Sequence, residues 1–245
     1  MCKYVICATV VLLLRKSLSF CFFSCRGSSR YEYGLAHLEL KRAPFDDVIP
    51  FLSEHVAPSD QLLFLGASTD MALQLLKVGY GGSKDNLGSM TLVDSPGADL
   101  EDVRSMALAD PQLAERIKIG KLRIEAVDLT KMPDICKQSV FDAIVDYGAL
   151  DSLLIGSAGK SGMLKCIDQL QDGVRLGNIL VCLSSLDKEQ FCPPFEERFG
   201  WVQELDGDPG EISAWYRGKT NIEATKSNFA KLGLQFYVYT NTDNC

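Results

Sequence analysis

Short apolar runs alternate with segments of helical periodicity along most of the chain, and this alternation limits the folds it can adopt. Gln61–Leu65 (QLLFL) is too short for a helix and indicates a buried strand. After it, Met71, Leu75 and Leu76 recur at helical spacing within Asp70–Val78. Further strands are predicted at Met90–Val93, Leu122–Val127, Val140–Val145 and Asn178–Leu183. Strands that alternate with helices predict an α/β fold with a doubly wound, mostly parallel sheet.

Three more segments have helical periodicity. One, from Phe45 to Val56, precedes the first strand. A second, Asp99–Ile119, lies between the second and third strands, and Pro111 interrupts it. A third is marked by Met163 and Leu170 and follows the fourth strand.

The C-terminal part has a different pattern. Its apolar runs are rich in aromatic and β-branched residues: Trp201–Leu205, Ile212–Tyr216 and Leu234–Tyr239. Between the last two runs, Ala224–Lys231 is a candidate helix. This pattern predicts an antiparallel pair of strands at the C-terminal edge of the sheet.

Residues 1–30 differ from the rest because they carry five basic residues and no acid. Their apolar run, Tyr4–Leu14, is shorter than the roughly 20 residues that span a bilayer, but it fits a signal-peptide core. The serines after it fit an organellar transit peptide equally well. We therefore expect a targeting or signal-like segment at 1–30 and a folded domain at 31–245. A mitochondrial or plastid destination is favoured, with a secretory route, or a cytoplasmic protein with an extended start, as alternatives.

The charge of the chain bears on its partners. Removing the five positive charges of residues 1–30 from the net charge of −7 leaves −12 for the remainder. Such a surface repels a phosphate backbone, so a nucleic-acid partner is not expected. It favours a basic partner, such as a lysine-bearing protein segment, or serves solubility alone.

Cysteine and histidine are too scattered for a metal or disulfide framework. The nine cysteines form no C-x-x-C pair, and His37 and His55 are the two histidines. We therefore predict no metal site. A monomer is the default expectation.

Polar residues and a glycine follow the predicted strands. Gly66 follows the first strand, where the absence of Cβ lets backbone approach a ligand, and Ser68 lies near the start of the next helix. Asp94 ends the second strand and is placed to accept hydrogen bonds from ribose hydroxyls. Asp128 ends the third strand, where it can accept from an adenine amino group while Leu129 packs near the ring. Each aspartate can instead serve as a helix cap or turn residue.

This arrangement suits either a dinucleotide or S-adenosylmethionine, and the full G-x-G-x-x-G of dinucleotide sites is absent. Two segments distinguish these ligands: LLFLGASTDMALQLLKVGY (62–80) and FDAIVDYGALDSLL (141–154). They resemble the methyltransferase-like family of protein-lysine methyltransferases, which includes enzymes that act on elongation factor 1A and on citrate synthase. EERFGW (196–201) and FYVY (236–239) extend the resemblance to most of the chain beyond the N-terminal segment.

The resemblance implies a Rossmann-like, class I methyltransferase that binds S-adenosylmethionine and methylates a protein lysine. Asp146 would orient the incoming amine, or only stabilise the local turn, and Tyr147 would line its channel. The aromatic residues of the C-terminal part would either surround the cationic side chain or pack in the core: Trp201, Trp215 and Tyr216.

The chain also departs from the family pattern. Ala67 stands in place of a cysteine, Ser68 of a glycine, Tyr147 of a lysine and Ala149 of a threonine. These changes keep open an inactive, methyltransferase-like binding domain. A small-molecule methyltransferase or aminopropyl transferase of the same fold is a further alternative.

Overall fold

A computed structural model describes residues 45–66, 70–82, 88–138, 141–206 and 233–242. Within these ranges, seven strands form one mixed sheet. The strands are β1 (Gln61–Leu65), β2 (Ser89–Asp94), β3 (Leu122–Ala126), β4 (Phe141–Tyr147), β5 (Val174–Ser184), β6 (Trp201–Asp206) and β7 (Gln235–Asn241). The segment 1–30, Ser68, the runs at 212–216 and 224–231, and Trp215 and Tyr216 lie outside the described residues.

Helices lie on both faces of the sheet. One face carries α1 (Phe45–His55), α2 (Asp70–Lys77), α3 (Ala98–Ala109) and α4 (Pro111–Lys118). The other carries α5 (Pro133–Gln138), α6 (Ala149–Ile155), α7 (Gly159–Gly173), α8 (Lys188–Phe191) and α9 (Pro193–Glu196).

The strand order is β3-β2-β1-β4-β5-β7-β6. β1 to β5 run parallel, whereas β7 is antiparallel to both β5 and β6. The chain winds outward from β1 in one direction and then, starting again at β4, in the other. The boundary between β1 and β4 is therefore the topological switch point, where ligands bind in open α/β sheets.

Alternation along the central strands divides the core in two. In β1, Leu62 and Phe64 pack with α1 to α4, whereas Leu63 and Leu65 pack with α5 to α9. All four side chains are at most 1% exposed. A strand covered on both faces is a continuous apolar run, which explains why QLLFL could be recognised as a strand.

The predicted doubly wound sheet with an antiparallel C-terminal edge is confirmed. Several boundaries differ in detail, for example β5, which begins at Val174 instead of Asn178, and two of the differences have a local cause. The strand predicted to reach Asp128 ends at Ala126, because the backbone then turns at Asp128. The helical segment 99–119 is two helices, since Asp110 caps the second by accepting from the amides of Gln112 and Leu113, ahead of Pro111.

Candidate functional site

The predicted site residues that the structure describes meet at one edge of the sheet. Asp94 ends β2, Gly66 follows β1, and Asp146 lies near the end of β4. Asp128 follows β3, the next strand beyond β2. Because β3, β2, β1 and β4 are neighbours and run parallel, their carboxyl ends meet on the two sides of the switch point.

Gly66 adopts a left-handed backbone with φ of +85°, and its amide donates to the carbonyl of Val93. A Cβ at this position would lie 2.5 Å from the carbonyl oxygen of Tyr147. The glycine is therefore required both by its backbone conformation and by the close approach of β4. The ends of β1 and β4 therefore approach each other closely at this position.

Asp94 is partly buried, and its Oδ1 accepts from the amide of Ser95 at 2.7 Å. Its backbone carbonyl accepts from the amide of Val127, which links the ends of β2 and β3. The carboxylate thus has a defined place at the strand end. Ribose recognition by Asp94 stays a prediction.

Asp128 forms a tight turn with Thr130, accepting from its amide at 3.0 Å and from its hydroxyl at 2.7 Å. The Nζ of Lys131 lies 3.3 Å from Oδ2, the other oxygen of the Asp128 carboxylate. These contacts, the Thr130 hydrogen bonds first, lower the pKa of the exposed Asp128 carboxyl. Leu129 is 2% exposed and belongs to the core beside α5 to α9. Asp128 therefore has the contacts of a turn residue, and its role towards adenine, like that of Leu129, stays a prediction.

Asp146 is fully buried at the end of β4. Its Oδ1 caps α6 by accepting from the amides of Ala149 and Leu150, at 3.0 and 3.1 Å. Its Oδ2 is also buried, and among the described residues it has no hydrogen-bond partner. Desolvation, followed by the nearby Asp151 carboxyl, raises the pKa of Asp146 well above its usual range. A buried carboxyl oxygen without a donor is a feature that a ligand could satisfy.

Tyr147 follows Asp146 in β4, and alternation places its side chain on the opposite face of the sheet. The ring is 2% exposed and stacks with Phe64 at a centroid distance of 6.4 Å. Burial raises the pKa of its hydroxyl. The ring therefore packs in the core beside α1 to α4, and its predicted catalytic role stays a prediction. Trp201 is 7% exposed and packs in the other half of the core.

Asp151 also belongs to this edge, although sequence reasoning gave it no role. Its Oδ1 accepts from the Ser184 hydroxyl at 2.7 Å, and its Oδ2 accepts from the amide and hydroxyl of Ser185. The Gly148 amide also donates to the carbonyl of Leu183. Together these bonds fasten α6 and the β4–α6 turn to the end of β5. The one available signal was the place of Asp151 within the 141–154 segment.

The part of the chain that the structure describes contains no cluster of three or more histidine, cysteine, aspartate or glutamate residues placed to hold a metal ion. It also contains no helix long and apolar enough to cross a membrane.

Solved structures share this architecture. The CcbJ methyltransferase from Streptomyces caelestis superposes with a TM-score of 0.50 at 13% identity, over 82% of this chain and 90% of its own. A methyltransferase from Pyrococcus furiosus also gives 0.50 at 13% identity, over 81% and 83%. NSun6 from Pyrococcus horikoshii, solved with SFG, gives 0.52 at 15% identity, over 82% and 52%.

The chain has the Rossmann-like methyltransferase fold. Its mostly parallel seven-stranded sheet, flanking helices and antiparallel C-terminal strands match that fold. No protein-family model matches the chain, and comparison with curated protein sequences found no match. At 13 to 15% identity the likeness concerns the fold, since one fold hosts many chemistries.

Proposed function

We propose that the chain is an S-adenosylmethionine-dependent methyltransferase that methylates a lysine side chain of a protein. The observation that carries this proposal is the switch point itself, where Gly66, Asp94 and Asp146 meet between oppositely wound halves of a methyltransferase-type sheet. Nucleotide-like ligands bind at such switch points. Two of the proteins that share the fold are methyltransferases, and a third was solved with SFG.

The polar groups at this edge fit S-adenosylmethionine. Asp94, at the end of β2, offers a carboxylate for the ribose hydroxyls. Asp128 and Leu129 follow β3, the strand beyond, where the adenine would lie. Asp146 adds a buried oxygen without a donor among the described residues. From β3 through β2 to β4, these groups follow the order in which adenine, ribose and the amino-acid part are joined in the cofactor.

The cofactor, when bound, supplies an electrophilic methyl group on its sulfonium. The chain must then hold a neutral amine in line with that group and exclude water, which is chiefly a matter of positioning. The β4–α6 turn is suited to this task because the hydrogen bonds of Asp146, Gly148 and Asp151 fix it to neighbouring elements. A lysine acceptor is supported by the resemblance of residues 141–154 and by the net charge of −7.

The test is transfer of a labelled methyl group from S-adenosylmethionine to protein acceptors. Elongation factor 1A and citrate synthase are the first acceptors to try, with free lysine and small amines as a second set. We expect label on a lysine of a protein acceptor, lost in Asp94→Asn and retained in the exposed control Asp134→Asn. Label on small amines alone would contradict the protein-lysine proposal. No transfer, despite bound cofactor, would favour the second candidate.

That second candidate is a binding domain without catalysis, favoured by the burial of Tyr147. This ring stands where the resembled family has a lysine, and it packs against Phe64 rather than lying in an open cleft. Ser68→Gly separates the two candidates without placing a lysine ammonium in the core position of Tyr147, and a thermal unfolding profile checks that the variant is folded. A decayed enzyme should gain methyl transfer in this variant, whereas an adapted, active enzyme should lose it.

A further inference from the structure

Asp146 combines two properties that are costly together in a folded protein. Its side chain is 0% exposed, and within the described residues one of its two carboxyl oxygens, Oδ1, receives hydrogen bonds. Oδ2 is left without a donor in the described part of the chain. An ionised carboxylate in this setting is far less favourable than a neutral carboxylic acid, because burial penalises the charge more strongly than the polar group.

The groups that face Asp146 make its ionisation less favourable still. Asp151 on α6 and Asp94 at the end of β2 both raise the pKa of Asp146. The thiols of Cys166 on α7 and Cys182 on β5 also interact with it, and their own pKa values are raised. These facing groups are acids, so a cation brought to Oδ2 would offset the repulsion that makes ionisation of Asp146 unfavourable.

The strand order indicates which part of the cofactor would reach Asp146. If adenine lies at the carboxyl end of β3 and ribose at Asp94 on β2, the amino-acid part extends over the end of β1 towards β4. Neighbouring strands are about 4.8 Å apart, so two strand spacings place the end of β4 about 10 Å from the end of β2. Asp146 is paired in register with Leu65, directly before Gly66. The ammonium group of the amino-acid part is the cationic N–H donor in that region.

We propose that the ligand-free protein keeps a proton on Asp146 and releases it when the ammonium group of the cofactor's amino-acid part binds there. The proton on the carboxyl group passes to the solvent, and an N–H of the ammonium group then donates to Oδ2. This inference rests on the proposed function for the presence of the cofactor. It assigns Asp146 to the cofactor, whereas the sequence analysis assigned it to the acceptor amine.

The test is calorimetric titration of three nucleosides into the full chain at about pH 6, where α-amino groups are fully protonated. S-adenosylmethionine and S-adenosylhomocysteine both carry the ammonium group, whereas methylthioadenosine lacks it. Each titration is repeated in buffers of different ionisation enthalpy, so that the change in observed heat counts the protons released. We expect release of up to one proton with the first two ligands and none with the third.

Asp146→Asn is the decisive variant because asparagine keeps the oxygen that caps α6 and replaces Oδ2 by an N–H donor. It should abolish proton release and weaken S-adenosylhomocysteine binding about 10- to 100-fold, while Asp134→Asn changes neither. A far-ultraviolet spectrum checks that the variant is folded.

Three results would overturn the inference while leaving the cofactor in place. They are tight binding without proton release, release with S-adenosylmethionine alone, and equal release in Asp146→Asn. If none of the three nucleosides binds to folded protein, the proposed function fails as well, and the absence of binding heat distinguishes that outcome.

Discussion

Replacing Gly66 by alanine tests whether the ends of β1 and β4 are as close as the structure has them. Gly66 has φ of +85°, and a left-handed backbone costs an alanine about 1–2 kcal/mol. The new Cβ would lie 2.5 Å from the Tyr147 carbonyl oxygen, a backbone atom that cannot rotate away. Overpacking of this kind costs about 1–3 kcal/mol, so we expect a total loss of about 2–5 kcal/mol in the free energy of unfolding.

Gly120→Ala is the matched control. Gly120 has φ of +75°, and a Cβ there would meet nothing within 4 Å, so only the backbone cost of about 1–2 kcal/mol applies. Urea unfolding gives both values, and the melting temperature of Gly66→Ala should fall by roughly 4 to 20 °C. Equal losses of unfolding free energy in the two variants would show that β1 and β4 do not approach closely at Gly66, and this would refute the packing argument.

Three further predictions concern carboxyl groups. Because the pKa of Asp146 is raised in the folded state, above about pH 4 that state holds a proton which the unfolded chain has already lost. Raising the pH further should therefore lower the free energy of unfolding by up to about 1.4 kcal/mol per pH unit. Urea unfolding across pH should show this slope and a smaller slope in Asp146→Asn, and an unchanged slope in the variant would contradict the prediction. Asp151→Ala leaves the hydroxyl of Ser184 and the amide of Ser185 without their acceptor, at a cost of about 1–3 kcal/mol for each group. Urea unfolding should therefore show a loss of about 2–6 kcal/mol, and a loss below about 1 kcal/mol would argue against the network. Asp168→Asn removes a partly exposed ion pair with Arg198. Urea unfolding should show a loss of at most about 1 kcal/mol in the free energy of unfolding, and this loss should shrink in high salt. A larger loss would mean that this pair anchors α7.

The architecture was predictable because the central strands are covered on both faces. A strand such as QLLFL has no polar residue to interrupt its apolar run after Gln61, and the helices between strands show their own spacing. The antiparallel edge was recognisable from the aromatic and branched residues that now form β6 and β7. The break between α3 and α4 was visible at Pro111, whereas the capping contacts of Asp110 required coordinates.

The placement of the site residues at one sheet edge was predictable, but their side-chain contacts were not. That Asp94 and Asp146 lie at one edge follows from parallel strands, since their carboxyl ends coincide. The contacts of Asp151 join residues more than 30 positions apart, and no local pattern encodes a pairing over that distance. The face on which Tyr147 lies follows from alternation with Asp146, but its packing against Phe64 depends on the pairing of β1 with β4.

The central claim is that the switch point binds S-adenosylmethionine through Asp94. Equilibrium dialysis of labelled S-adenosylmethionine against the full chain and its Asp94→Ala variant measures this directly. The account predicts one bound molecule with a dissociation constant on the order of 1 µM to 1 mM. Binding should be roughly 30-fold or more weaker in Asp94→Ala, because two hydrogen bonds to a carboxylate are lost. No binding to folded protein, or equal binding by the variant, would contradict it.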